Sequence, residues 1–426
     1  MISARRLLEW GDLEERRRRA ARHALARIPP WLVSWLAGAV FAAEMLRRTG
    51  LGHAGPGLPG ALRLWLAATA AAHVLVLFGS PHRLYWRRDA ALVGRLPIAG
   101  GPLFRAALVR SARGAARAAL PCALGALAFG PALGWPAAAR LVALVAAAAL
   151  CAGLLGPSVA LAAGAVVASD KTQALIGQMT GEFRAPRTSW LGILPGAAAA
   201  GLILLLIAVQ PWAVNPAAAA PSAPLALAIG LGLPLIAAAW ALTAADRVMP
   251  AALREVSALD QVRLAHVDLS RASRLERGWF AALSPRARHL ADKDARLTRR
   301  RYPSPYFLGP IGVLVLWILA ATGGDGALTW AGAILLGLAA YAVIIARRLV
   351  APPVELPRLL RALPVAPAEV ATAKRAAVLL RAVTWTALGG APFALRSPEP
   401  LAAWVIVVIA TAIAAAGGIV AARDEV

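Results

Sequence analysis

Charged residues, cysteines and catalytic motifs are all scarce in this chain, and each shortage removes a class of function. Only 15% of the 426 residues are charged and 60% are hydrophobic, which excludes a soluble domain of this length. The two cysteines, Cys122 and Cys151, lie in apolar stretches and predict neither CxxC chemistry nor a disulfide framework. No GxxxxGK[ST], HExxH or GxSxG motif occurs, so the sequence predicts neither a P-loop nor those hydrolytic sites.

Long apolar runs are abundant instead. A helix of about 20 residues crosses the hydrocarbon core of a bilayer, which is about 30 Å thick. Ten runs approach or exceed this length: 30–46, 61–79, 115–134, 137–168, 190–210, 223–245, 305–321, 327–346, 376–395 and 399–421. The sequence therefore predicts an all-α, polytopic helical membrane protein with about ten transmembrane helices.

The 45 basic residues outnumber the 21 acidic residues, and their placement indicates an orientation. With the N-terminus inside, only five basic residues fall on the outer side: Arg47, Arg48, Arg63, Arg140 and Arg396. The inverted topology would reverse this bias. The charge bias therefore predicts a multi-pass membrane protein with both termini in the cytoplasm. Its basic surface is expected to meet membrane lipids and no nucleic acid.

One pattern occurs twice. A hydrophobic hairpin is followed by a short amphipathic segment that ends in Leu-Pro-aliphatic, at residues 87–98 and again at 355–365. The next span then carries two basic residues seven positions apart, about two turns along one helical face. These paired basic residues are Arg110 and Arg117 in the first copy and Lys374 and Arg381 in the second.

The repeat divides the chain into two related halves. Residues 1–28 are predicted to form an interfacial amphipathic helix, and residues 29–245 a first transmembrane half of six spans. Residues 246–304 form a cytoplasmic amphipathic linker, and residues 305–426 a second half of four spans. In the linker, apolar side chains at helical spacing predict a helix after Pro250: Met249, Leu253, Val256, Leu259 and Val262.

Few ionisable residues lie within the predicted spans. The spacing of Glu44 from Arg47 and Arg48 favours an interfacial ion pair over a proton or ion site. His73 has no second histidine, cysteine or carboxylate spaced to join it, which favours a packed or helix-bonded histidine over a metal ligand. The sequence predicts no catalytic residue and no metal site, and it assigns no substrate-binding residue.

The N-terminal interfacial helix, the hairpin and the Arg-Arg-Asp-x-x-Leu…Leu-Pro-Ile segment together resemble the permease subunits of ABC-2 type exporters. The stretch 292–297, which leads through an arginine run and Pro303 into the seventh span, is similar to the Lys-Asp-Leu-Arg opening of such permeases. In that family the segment between the second and third spans docks into a separate ATPase subunit. The resemblance implies these coupling residues: Arg87, Arg88, Asp89, Leu92, Leu96 and Pro97, and in the second copy Glu355, Leu359, Arg361, Leu363 and Pro364.

The resemblance implies a permease of the bacterial cytoplasmic (inner) membrane that couples ATP hydrolysis by a separate P-loop ATPase to movement of a substrate. The nearly uncharged spans favour an amphiphilic or apolar substrate over a small ion. The chain would itself be no enzyme and hold no cofactor, because ATP and Mg²⁺ would bind to the partner. Pro352 and Pro353 replace the arginines in the second copy, and a pathway formed by one chain or by two copies stays open. Three alternatives also stay open: a secondary transporter, a membrane-embedded enzyme of lipid or polyprenyl metabolism, and a scaffold that recruits a partner through residues 246–303.

Overall fold

In the part of the chain that it describes, the computed structural model consists mainly of α-helices. It describes residues 6, 9, 30–48, 57–85, 93–94, 98–169, 190–218, 222–265, 274–301, 303–322, 331–332, 334–335, 337–339, 342, 365–398 and 400–423, and none of these residues forms a β-strand. The helices that precede residue 220 are α1 (Pro30–Arg48), α2 (Leu58–Leu84), α3 (Gly100–Leu127), α4 (Gly130–Leu133), α5 (Trp135–Leu150), α6 (Gly156–Ala168) and α7 (Trp190–Val214). The helices that follow are α8 (Ser222–Ala265), α9 (Arg274–Phe280), α10 (Pro285–Arg301), α11 (Pro303–Thr322), α12 (Pro367–Ala382), α13 (Gly389–Arg396) and α14 (Pro400–Arg423).

Two of the junctions between helices are π-helical. Residues Cys151–Leu155 join α5 to α6, and residues Val383–Leu388 join α12 to α13, so each pair continues as one long helix with a wider turn inside it. The first π-helical turn is followed directly by Gly156 and Pro157. Proline lacks a backbone N–H, so it cannot donate the hydrogen bond that a regular α-helix would require at that position.

The chain divides into two compact units, Met1–Leu259 and Asp260–Val426. The division falls close to the end of α8, whereas the predicted boundary between the first half and the linker, at residue 245, lies inside α8. Pro250 also lies inside this helix and does not begin a new one. The apolar face of the helix continues through Pro250, because Ala245 and Met249 before it and Leu253 and Val256 after it are buried in one cluster.

A tryptophan lies at the centre of the larger core of the first unit, which is built from α1, α2, α3, α5 and α7. The Trp65 ring is fully buried and packs edge-to-face against Phe129, with ring centroids 6.4 Å apart. Its indole N–H donates a 2.9 Å hydrogen bond to the Cys122 carbonyl oxygen, which satisfies the one polar group of the side chain. Trp65 therefore fixes α2 against α3.

A second core of the first unit lies where α2 ends and α3 begins. Tyr85 and Phe104 are buried there against α6 and α8. Three of the five residues that predict an amphipathic helix near Pro250 also contribute to this core, namely Met249, Leu253 and Val256. The apolar face predicted for the linker is thus used to pack α8 inside the first unit.

Among the residues that the structure describes, five stretches of helix are long and apolar enough to cross a membrane: Leu58–Pro81, Trp135–Ala168, Leu194–Val214, Ser222–Val256 and Pro367–Arg396. They overlap the second, fourth, fifth, sixth and ninth predicted spans. Two shorter apolar stretches, Gly309–Ala321 and Ala403–Gly417, overlap the seventh and tenth. Several long apolar helices are what a membrane-embedded protein requires.

The other three predicted spans have different outcomes. The first coincides with α1, which is not among the five long apolar stretches. The third overlaps α3, whose first 18 residues include four arginines, and α3 ends at Leu127, before the predicted end of the span at residue 134. Gly130 and Pro131 begin the short helix α4 instead. The eighth, 327–346, lies mainly outside the described residues.

Candidate functional site

The coupling residues implied by the family resemblance all lie outside the described residues: Arg87, Arg88, Asp89, Leu92, Leu96, Pro97, Glu355, Leu359, Arg361, Leu363 and Pro364. The helices that follow the two segments are described in full. The candidate site is therefore described in two parts, one in each unit: the start of α3 in the first unit and the start of α12 in the second, each with the elements packed against it in its own unit.

Both helix starts have the same backbone conformation. Ala99 precedes α3 with φ −60° and ψ 139°, and Ala366 precedes α12 with φ −62° and ψ 136°. Each Leu-Pro-aliphatic segment thus enters its helix through one extended alanine. The repeat noticed in the sequence is accompanied by a repeated local geometry.

The start of α3 is held by α8. The backbone N–H of Gly101 donates a 2.7 Å hydrogen bond to Oδ1 of Asp246. Gly100 lies so close to the Ala245 carbonyl that a β-carbon would not fit there. A carboxylate at a helix N-terminus satisfies an otherwise unpaired N–H and interacts favourably with the helix dipole. The first amphipathic segment is therefore anchored at its end to α8.

A buried ion pair lies two turns after the start of α12. Nζ of Lys374 lies 2.9 Å from Oδ2 of Asp294 on α10, and both side chains are only 4% exposed. Arg381, the other basic residue of the second copy, is also buried. Its Nη1 donates a hydrogen bond to the Ala377 carbonyl oxygen at 2.7 Å. Removing one partner of a buried ion pair leaves an uncompensated charge, which is strongly destabilising.

Alanines surround this ion pair. Ala287, Ala291 and Ala295 of α10 are buried in the same cluster as small residues of α12. Small side chains let two helix backbones approach closely. The indole N–H of Trp279, in α9, adds a 3.1 Å hydrogen bond to the Ala376 carbonyl oxygen. The α9–α10 hairpin is thus fixed to α12 by close packing, one hydrogen bond and one ion pair.

The first pair of basic residues differs from the second. Arg110 is half-buried and Arg117 is exposed, whereas Lys374 and Arg381 are both buried. The two pairs also differ in position, because Arg110 lies 13 residues after Pro97 and Lys374 lies 10 residues after Pro364. A shift of three residues is almost one helical turn and changes the face by about 60°. The two copies share their helix start but not the environment of their basic residues.

Two single-residue predictions are confirmed. Arg47 forms the expected ion pair with Glu44, with Nε to Oε2 at 2.8 Å and Nη2 to Oε1 at 3.0 Å. His73 is fully buried, and its Nδ1 lies 2.8 Å from the Thr69 carbonyl oxygen one turn earlier in α2. Neither residue belongs to the candidate site.

Sequence reasoning did not identify the acidic residues of the site, Asp294 and Asp246. Asp294 was noticed only as part of the stretch 292–297. A signal was available, because Ala287, Ala291 and Ala295 follow helical spacing and place Asp294 on their face. Glu276 of α9 is also buried, at 4% exposure, and no motif indicated it.

Comparison of the chain with protein-family models, with curated proteins and with solved structures finds no match in any of the three.

Proposed function

We propose that the chain is the membrane-spanning permease subunit of an ABC-type exporter, which couples ATP hydrolysis by a separate P-loop ATPase to movement of an amphiphilic substrate. The twofold recurrence of one arrangement carries the proposal. A basic amphipathic segment ends in Leu-Pro-aliphatic and enters a long helix through an extended alanine, at Ala99 and again at Ala366. Because the segment joins the helix directly, a movement of the segment caused by the ATPase subunit also moves that helix.

The contacts near each helix start determine which other helices move with it. In the first unit, the hydrogen bond between Gly101 and Asp246 makes α3 and α8 move together when residues 87–98 are displaced. In the second unit, the Asp294–Lys374 ion pair links α12 to the α9–α10 hairpin in the same way. Under this proposal the motor drives alternating access or lateral gating by displacing these helix groups.

The candidate membrane-crossing stretches favour an amphiphilic cargo. Three of the five contain no Asp or Glu. Glu255 and Glu369 each lie within two residues of a stretch end, and Asp246, ten residues from the end of its stretch, accepts the hydrogen bond of the Gly101 N–H. Pathways for small ions and protons usually place carboxylates at mid-membrane depth. An apolar or amphiphilic substrate requires no such groups.

The proposal includes a setting and a partner. The permease lies in the bacterial cytoplasmic membrane with both termini inside, and ATP and Mg²⁺ bind to the ATPase subunit. A second copy of the permease is a further candidate partner, since the second half of the chain has fewer predicted spans than the first.

A secondary transporter is the second candidate, because the structure contains a buried carboxylate that the sequence did not predict. Asp294, however, is neutralised by Lys374 at 2.9 Å and belongs to the polar helix α10, outside the five candidate stretches. A coupling-ion site would be expected near the middle of a bundle of spans. The exporter is therefore preferred.

The test is purification of the full chain from its native membranes, followed by identification of the proteins that copurify. We expect a P-loop ATPase, and its absence would refute the proposal. In the reconstituted complex, R87E/R88E should lower permease-stimulated ATP hydrolysis about tenfold, since charge complementarity guides docking. The matched control is R247E/R254E, which reverses two exposed arginines of α8. Equal loss in both variants would remove the assigned role of residues 87 and 88.

A further inference from the structure

We propose that α10 carries a binding surface for the headgroups of anionic phospholipids, and we name this surface the basic stripe. It consists of Arg286, His289, Lys293 and Arg296. The proposal concerns lipid recognition and does not depend on the export function.

Helical geometry places these four residues on one side of α10. Their spacing of three, four and three residues is that of a single helix face, at about 100° per residue. The same rotation places them roughly opposite the buried stripe of Ala287, Ala291 and Ala295. Arg286 and His289 are exposed, and the side chains of Lys293 and Arg296 retain 40% and 32% exposure. The basic stripe therefore points away from α12.

The apolar face of α10 cannot be its membrane contact. An amphipathic helix that lies in a bilayer surface buries its apolar face among the acyl chains. In α10 that face is occupied by alanines packed against Ala373, Ala376 and Ala377 of α12. If α10 contacts the bilayer, it does so through its charged side.

The position of α10 along the neighbouring helices corresponds to the headgroup region. α10 ends at Arg301, and α11 begins at Pro303 and becomes apolar from Gly309. On α12 its partners lie between residues 373 and 380, in the first half of the stretch Pro367–Arg396 and next to the charged residues Lys374 and Arg375. Basic residues concentrate at this boundary on the cytoplasmic side, where anionic lipids are also enriched.

Basic residues strongly outnumber acidic residues in the α9–α10 hairpin. Residues 274–301 contain nine Lys and Arg residues and three acids. Two of the acids, Glu276 and Asp294, are buried, and the third, Asp292, pairs with Arg296 at 3.2 Å. Nζ of Lys293 also lies 3.4 Å from Oδ1 of Asp294, so Asp294 is shared between Lys293 and Lys374. Arg288 is exposed but already engaged, since its guanidinium donates to the carbonyl oxygens of Phe280 and Ala281. The net positive charge of the outer face fits a phosphate-bearing surface.

The experiment titrates the purified full chain in neutral detergent with fluorescently labelled phosphatidylglycerol, followed by anisotropy, with labelled phosphatidylcholine in parallel. Each basic residue near an anionic surface contributes about fivefold to the binding constant. The R286Q/K293Q variant should therefore bind phosphatidylglycerol about 25-fold more weakly than the unmodified chain. Affinity of the unmodified chain should also fall as salt is raised, because the charges are exposed.

Two further variants make the result specific. R105Q/R117Q removes two exposed arginines from α3 and should bind phosphatidylglycerol like the unmodified chain. R286K/K293R keeps both charges and should retain binding within about threefold, whereas a purely structural role of these side chains would not be rescued by charge. A chain that binds both lipids equally would overturn the proposal and favour an acidic protein surface as the partner. Unchanged binding by R286Q/K293Q, equal loss in R105Q/R117Q, or loss in R286K/K293R would overturn it as well.

Discussion

Replacement of Asp294 by Asn is expected to release α10 from α12. The substitution preserves the size of the side chain and removes its charge, so Lys374 is left with an uncompensated ammonium group at 4% exposure. Breaking a buried ion pair in this way costs about 3–5 kcal/mol. The neighbouring pair of Asp292 and Arg296 is more exposed, and as an i,i+4 surface pair it contributes about 0.3–0.5 kcal/mol. D292N is therefore a matched control on the same helix.

The opening of this interface can be measured by thiol labelling at residue 291. Ala291 is fully buried against α12, so an A291C chain should react with a maleimide only when α10 moves away. The two native cysteines, Cys122 and Cys151, are both buried in the first unit and give a low background. A cost of 3–5 kcal/mol corresponds to a rise in labelling rate of roughly 10²- to 5 × 10³-fold for D294N.

A double variant with two apolar residues and the D292N control decide the outcome. K374M should also accelerate labelling, while D294L/K374M should restore slow labelling, because an apolar pair of similar volume is often as stable as a buried ion pair. D292N should change the rate less than threefold. If D294N labels no faster than D292N, or if the single and double effects simply add, the ion pair does not hold α10 in place.

Two further predictions concern the first unit. D246A should lower the free energy of unfolding by about 1 kcal/mol, because the carboxylate that accepts the hydrogen bond of the Gly101 N–H is lost. Thermal unfolding in detergent measures this loss. D246N should lose less stability, since its amide oxygen can still accept the hydrogen bond. Burial raises the pKa of the Tyr85 hydroxyl above its usual value of about 10, so the unfolded chain loses this proton first and stability should fall as pH rises beyond 10. Y85F should make that fall shallower between pH 10 and 12, and an identical slope would contradict the burial argument.

The sequence was sufficient for features that depend on composition or on neighbours in the chain. Mean hydropathy and run length identified the helical class. The spans predicted from them overlap all five of the long apolar stretches in the described residues. The Glu44–Arg47 ion pair and the hydrogen bond of His73 to Thr69 join residues three or four positions apart, so helical spacing alone predicts them.

The contacts that define the candidate site are of another kind. Asp294 and Lys374 are 80 residues apart, and Gly101 and Asp246 are 145 residues apart. Their pairing depends on which helix faces meet, and a single sequence records the faces without recording the partners. The π-helical turns were also missed, because an insertion of one residue into a helix leaves its average hydropathy unchanged.

The π-helical turn at Val383–Leu388 is a position at which the protein should tolerate the deletion of one residue. A π-helical turn holds one more residue than an α-helical turn, so deletion of a single residue there can be absorbed by conversion to regular α-helix. The same deletion three turns earlier, in α12, would rotate every later side chain by about 100° relative to the residues before it. Thr386 would then be out of reach of Thr411, although their hydroxyl oxygens lie 2.9 Å apart in the structure. In a scan of single-residue deletions, this turn should therefore form a short tolerant window inside an otherwise intolerant helix.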